Sequence, residues 1–194
     1  PHDEVADLYP YRHVRGMKAY NGVAILSKLP FTATGGHDWC GRTDARHATA
    51  KFAGGIEVHN FYVPAGGDVP DREKNEKFAH KLDFLSEIEA WLGEIATPRA
   101  KRVLVGDLNI APLEADVWSH KQLINVVSHT PVEVDALERL RDIAVDMPAL
   151  VPAVERVANR CAALDARGID VAGLDFEVAH GRAQMEYYDG FVFS

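Results

Sequence analysis

Hydrophobic and polar positions change period several times along this 194-residue chain. "YNGVAILSKLPF" opens on an Asn-Gly turn signal, runs through apolar Val23 to Leu26 and closes at Pro30, which predicts a turn followed by a buried strand. "ARHATAKFAG" alternates weakly, and "GGIEVHNFYVPAGG" follows with isoleucine, valine and aromatics before a proline and glycine loop. These two strands are expected to pair as a hairpin through Gly54 and Gly55. Over residues 73–96 the period becomes helical. Phe78, Leu82, Leu85, Ile88, Leu92 and Ile95 form one apolar stripe with lysines and glutamates opposite, and Pro98 ends it. "RVLVGDLNIAP" does not alternate, so it reads as a strand covered on both faces.

Further on, "LEADVWSHKQL" reads as a loop with a short helix. In "TPVEVDALERLRDI", Thr130 suits an N-cap, Pro131 the first helical position and Glu133 the capping-box partner of Thr130. From Pro148 the chain turns alanine-rich. Val151, Val154, Val157, Cys161 and Leu164 keep helical spacing, Gly168 stops that helix, and "IDVAGLDFEV" reads as a strand. Antiparallel strands, a long helix and a further strand predict an α/β fold of two packed sheets with helices outside.

Composition narrows the class. With 47% apolar and 26% charged residues the chain is an ordinary globular protein. It has no apolar run of the roughly 18 residues a membrane span needs. "PHDEVADLYPYR" lacks the basic start and apolar stretch of a signal peptide, so a cytoplasmic protein is expected. Two cysteines without a CxxC pair and nine histidines without HExxH spacing give no support to a zinc site. A net charge of -8 argues against a generally basic nucleic-acid surface. Residues 11–51 nevertheless hold seven basic residues against two acids, an excess of five that could hold a phosphate backbone through a limited footprint.

The chemistry-bearing residues concentrate at strand ends. On an extended segment Asp107 and Asn109 share one side, which would place a carboxylate to deprotonate a water beside an amide to bind a phosphate oxygen. The plainer reading makes Asp107 a turn cap and has Asn109 bond to its own backbone. Tyr62, where a strand breaks into a glycine loop, offers a phenol to a phosphate, although strand tyrosines are more often core. Asn21 in "YNG" and Arg46 in "DARH" could touch substrate, with turn chemistry and surface solvation as alternatives.

"YNGVAILSKLPF", "HNFYVPAGGDVPDREKNEKFAHKLDFLSEIEAWL", "RVLVGDLNIAPLEADVWSHKQ" and "VVSHTPVE" stand in an order and spacing that resemble the exodeoxyribonuclease III family of the endonuclease/exonuclease/phosphatase superfamily. The resemblance covers residues 11–143 and is closest to the bacterial exonuclease III type. It implies a four-layered α/β sandwich, with residues 1–143 a partial domain of this kind and 144–194 a helix-strand tail of the same domain. It also implies a monomer that cleaves DNA phosphodiester bonds with magnesium, or manganese, at abasic sites and 3′ ends of duplex DNA. On the matching positions Asp107 would activate the attacking water, Asn109 would bind phosphate, and both would contribute to the metal site. Tyr62 would be the active-site tyrosine, while Lys18 and Asn21 would face the substrate.

The chain also departs from that pattern. The family's early "WN" and "LQE" motifs, the latter carrying the metal glutamate, and its late "SDH" motif are not found in place. "LDARGIDVAGLDFEV" resembles the helix-to-"LQE" unit and "EYYDGFVFS" resembles "YNGVAILS", which suggests a rearranged or permuted chain. In that arrangement Glu177, or Asp175 on the same strand face, would replace the metal carboxylate, the alternative being polar residues on a solvent face. His120, His129 and His180 lack a neighbouring aspartate, so none is assigned as the catalytic histidine. Two further readings stand beside the nuclease: a truncated or rearranged non-catalytic relative with weak DNA affinity, and a phosphatase acting on a phosphorylated lipid or small molecule.

Overall fold

A computed structural model describes residues 5–145 apart from Ala19 and Pro98. The helix and strand expected after Pro148, with Asp175, Glu177 and His180, lie outside the described residues.

The chain first folds back on itself. Strands β1 (Tyr11–Gly16) and β2 (Gly22–Ser27) pair antiparallel from Tyr11↔Ser27 to Gly16↔Gly22. Asn21, at φ 54°, takes the left-handed conformation that the Asn-Gly signal anticipates. A second sheet has the order β3-β4-β5-β6, from β3 (Phe31–Gly35), β4 (His47–Phe52), β5 (Ile56–Tyr62) and β6 (Lys101–Asp107). Gly54 and Gly55, at φ 82° and 77°, turn β4 into β5 as the expected hairpin. β5 and β6 run parallel, and the crossover between them is helix α1 (Glu76–Ile95), whose N-cap Asn75 accepts the Lys77 N–H. A short helix α2 (His120–Leu123) and a longer α3 (Pro131–Val145) follow.

Period two along β5 divides the core. Phe61, continued by Val63, faces a cluster with Trp39, Phe84, Leu85, Ile88, Leu92, Ile110, Ala136 and Leu140, which joins the sheet to α1 and α3. Val58 and Tyr62 face the other way, against Val23, Ile25, Ala48 and Ala50, which joins it to the β1-β2 hairpin. Asn60 Nδ2 donates to the Ala24 carbonyl at 2.9 Å and ties the two sheets together. Hairpin, sheet and helices are thus stacked as an α/β sandwich of two sheets with helices outside, the class the pattern predicts. Fully burying each large side chain of the α1 stripe contributes about 1.5–3 kcal/mol.

Three local expectations need correction. β1 and β3 were not predicted: "YRHVRG" and "FTATG" carry too few apolar residues for a strand signal, and pairing with β2 and β4 supplies the order. β6 is not covered on both faces, since Val103 and Val105 are 38% and 43% exposed. It is an edge strand among the described residues, and the hairpin lies over β4 and β5 instead. In the α1 stripe Leu82 is only half-buried, whereas Phe84 and the charged Lys81 are fully buried.

Candidate active site

The parallel register of β5 and β6 sets Tyr62 opposite Asp107, so both side chains reach the same end and face of the sheet. Val63 N–H donates to the Asp107 carbonyl at 2.9 Å and carries the pairing one residue further. Gly106, just before the aspartate, has φ 128°, and a Cβ built there would fall inside the backbone of Phe61. Only glycine lets β6 approach β5 this closely at its end.

Asp107 is the last strand residue. Its Oδ1 accepts the Asn109 N–H at 3.0 Å, which closes an Asx turn. Asn109 sits at φ 51°, is 8% exposed, and donates through Nδ2 to the Val63 carbonyl at 2.8 Å. The extended geometry that would align the two side chains therefore stops at Asp107. The carboxamide of Asn109 pins two loops together, and Asp107 presents the carboxylate. Among the described residues no donor reaches Oδ2 of Asp107.

Arg46 assembles the other half. Its Nε donates to Asp44 at 2.6 Å, Nη1 to the Tyr62 carbonyl at 3.2 Å and Nη2 to Asn21 Oδ1 at 3.1 Å. Its guanidinium lies 4.7 Å from the centre of the Tyr62 ring. Asn21, Arg46, Tyr62 and Asp107 thus form one group at the strand ends. Asp44, which steers Arg46, was not anticipated; its spacing of two from the arginine was the available signal. Lys18 is exposed in the β1-β2 turn, outside this bonded group.

Behind the site lies a pair that the helical stripe concealed. Lys81 and Glu133 are both 0% exposed and their charged atoms lie 2.5 Å apart. Burial pushes the Lys81 ammonium below its ordinary range, while Glu133 and Asp107 pull it back. Lys81 stands three residues after Phe78 and four before Leu85, a buried-face spacing that outranks its charge. Glu133 completes half of the expected capping box: it accepts the Thr130 N–H at 3.2 Å, but the Thr130 hydroxyl donates to Glu133 instead of accepting from the helix.

His129 Nδ1 lies 2.7 Å from the Ala111 carbonyl, which can only accept, so the ring carries its proton there. Its Nε2 lies 2.9 Å from His120 Nδ1, and a hydrogen bond joins the two rings there. Both rings brace the loop after Asp107, and neither bonds an aspartate among the described residues. No three His, Cys, Asp or Glu side chains converge to hold a metal ion among the described residues, and Glu177 lies outside them.

Comparison with known proteins follows the same line. A model of the "Endonuclease/Exonuclease/phosphatase family" matches residues 2–157. The fold is similar to that of an AP endonuclease from Archaeoglobus fulgidus, with 30% identity and a TM-score of 0.65 over 74% of this chain and 54% of that one. It is also similar to a 3′ phosphatase, NExo, from Neisseria bound to a product DNA hairpin, and to the 3′-5′ exonuclease NExo from Neisseria meningitidis. Each is 25% identical, with a TM-score of 0.61 over 74% of this chain and 55% of the other. The chain spans about half the length of these solved structures. No curated protein matches it. Both the matched residues and the sandwich that carries Asp107 assign one identity: the chain belongs to the endonuclease/exonuclease/phosphatase family.

Proposed function

We propose that this protein is a DNA phosphodiesterase, a 3′-5′ exodeoxyribonuclease or abasic-site endonuclease of the exonuclease III type. The observation that carries the reading is the grouping of Asp107, Tyr62, Arg46 and Asn21 at the ends of β4, β5 and β6, in a chain of this family. DNA as the partner is supported by the neighbouring NExo structure, which holds a product hairpin. The substrate class is duplex DNA with abasic sites or 3′ ends.

Asp107 is the base. One carboxylate oxygen is fixed by the Asn109 N–H, which orients the other to take a proton from a water for in-line attack on phosphorus, while the P–O bond to the leaving sugar oxygen breaks and that oxygen takes a proton from solvent. Tyr62 and Arg46 bind the phosphate oxygens where charge develops, and Asn21 holds the guanidinium in place. Asn109 serves as the anchor of the turn. The reading includes a divalent cation, magnesium or manganese, as cofactor. Such an ion is held through one or two carboxylates, with waters and substrate phosphate completing its shell, and among the described residues Asp107, the carboxylate of this group not tied to an arginine, would be the one to hold it.

The test is nicking of a duplex carrying one abasic analogue, with a second duplex reporting loss of 3′ nucleotides. Each is incubated with magnesium, with EDTA and with Asp107→Asn. Cleavage that needs both the metal and Asp107 is the expected result. A folded protein that leaves both duplexes intact, or cuts them equally well without Asp107, overturns the reading.

A further inference from the structure

We infer that the buried Lys81–Glu133 pair positions Asp107, acting through the backbone of Asn109. The inference rests on the reading that Asp107 carries the chemistry.

Lys81 Nζ donates to the Asn109 carbonyl at 2.6 Å, and reaches the Ala65 carbonyl at 3.3 Å and Ser128 Oγ at 3.4 Å. Glu133 takes the Ser128 N–H on both oxygens, at 3.0 and 2.9 Å, and the Thr130 N–H and hydroxyl on one. One ion pair therefore joins three chain segments: the loop after β5, the turn after β6 and the entry to α3. Two of the residues it holds, Asn109 at φ 51° and Ser128 at φ 79°, are in the left-handed region without being glycine. Such conformations persist where the surroundings over-determine them. The loop after β5 also leaves room for the lysine: a Cβ on Gly66 would meet Lys81 Cδ at 3.0 Å.

A buried ion pair is weak evidence for stability, because well-packed apolar residues of similar size often match it. Apolar residues could not bond the Asn109 carbonyl or the Ser128 N–H. What the pair supplies is direction. Asn109 is held at its carbonyl by Lys81 and at its side chain by Val63, and its remaining backbone group, the N–H, points at Asp107 Oδ1. Release of the carbonyl frees the turn and lets the carboxylate rotate.

The experiment uses the whole chain with the double substitution Lys81→Met and Glu133→Gln. It leaves no orphan charge and keeps an acceptor for Ser128. Kinetics on the abasic duplex are expected to show kcat falling about 10- to 100-fold with KM within about threefold. In an Asp107→Asn background the same pair of changes is expected to add no further loss, whereas a general loosening of the fold would add the same factor there. Hydrogen exchange is expected to speed up over residues 107–111 and 126–130 with α1 unchanged. Lys81→Gln with Glu133→Gln, which also leaves no orphan charge and lets the two amides bond each other, is a second variant expected to lose kcat alike if the first does not fold. If Asp107→Asn abolishes nicking but kcat survives in these variants, the positioning inference alone is overturned. If Asp107→Asn leaves the rate unchanged, the proposed function falls and this inference with it.

Discussion

Acid is expected to weaken this fold first at two buried histidines. His47 and His59 are 2% and 4% exposed, have ring planes 18° apart with centroids 5.3 Å apart, and share a bond of 3.0 Å between His47 Nε2 and His59 Nδ1. His37 N–H donates to His47 Nδ1 at 3.1 Å, so that nitrogen is an acceptor and His47 is neutral, its proton on Nε2. Burial pushes His47 down from 6.5 to about 3, reinforced by His59, His37 and Arg15. Burial lowers His59 as well, with Glu57 pulling the other way and Arg102 and Lys51 adding to the fall. The unfolded chain binds these protons first. The stability His47 supports is present above pH 6.5 and is lost as pH falls toward 3, and His59 acts in the same direction. At pH 5 the loss for His47 alone is about 2 kcal/mol, since the unfolded ring is then some 1.5 units below its own value and the folded ring is still neutral. Glu57, held down to about 2 chiefly by Lys51 and Arg102, acts only below the ordinary glutamate range and leaves this window clear. Urea unfolding at pH 7.5 and pH 5 reads the effect against His47→Gln, whose amide can accept from His37 and donate to His59. The wild type is expected to lose about 2 kcal/mol more than the variant between the two pH values, a midpoint difference of roughly 1 M urea. Equal losses in the two proteins would refute the reasoning.

Other perturbations test the site itself. Gly106→Ala forces a Cβ into the Phe61 backbone at φ 128° and is expected to cost at least about 2 kcal/mol, read as a lowered thermal midpoint. Asp107→Asn keeps an oxygen for the Asn109 N–H, so thermal stability is expected within about 1 kcal/mol of wild type while nicking falls on the order of 100-fold or more. Arg46→Lys cannot reproduce the fork that reaches Asp44, the Tyr62 carbonyl and Asn21 together, and is expected to raise KM for duplex DNA about tenfold.

Much of the scaffold was legible because period and punctuation agree there. The Asn-Gly turn, the Gly54-Gly55 hairpin and the α1 stripe each combine a hydrophobic pattern with a residue that fixes the backbone. β1 and β3 were not legible, because they carry too few apolar residues for a strand signal and their order comes from pairing with β2 and β4. At the site, the aspartate at a strand end was readable, but the orientation of Asn109 was not. A period of two applies only while the chain stays extended, and the left-handed turn at Asn109 redirects its side chain to Val63. Lys81 was misassigned to the polar face because charge was given more weight than spacing. Its neighbours Phe78 and Leu85 marked the buried face, and Glu133, the partner that makes burial tolerable, lies 52 positions away in the sequence.

The same pairing logic bears on the proposed binding of DNA. Residues 11–51 carry an excess of five positive charges by count, yet several are already engaged with carboxylates. Arg15 meets Asp38 at 2.8 Å, Arg46 meets Asp44 at 2.6 Å and Lys51 meets Glu57 at 2.6 Å. Lys18, Lys28 and Arg42 make no ion pair among the described residues, and with Arg46, which the proposed function sets on a phosphate, they make four cations of this segment to displace counterions. Each phosphate neutralised contributes about 0.9 to the dependence of log K on log salt, so duplex binding in EDTA is expected to show a slope between about −3 and −4. Lys18→Ala is expected to reduce that slope by about one unit and to weaken binding evenly across sequences. A slope of about −5 or steeper would mean that Arg15 and Lys51 also reach the backbone, and that their ion pairs with Asp38 and Glu57 open on binding.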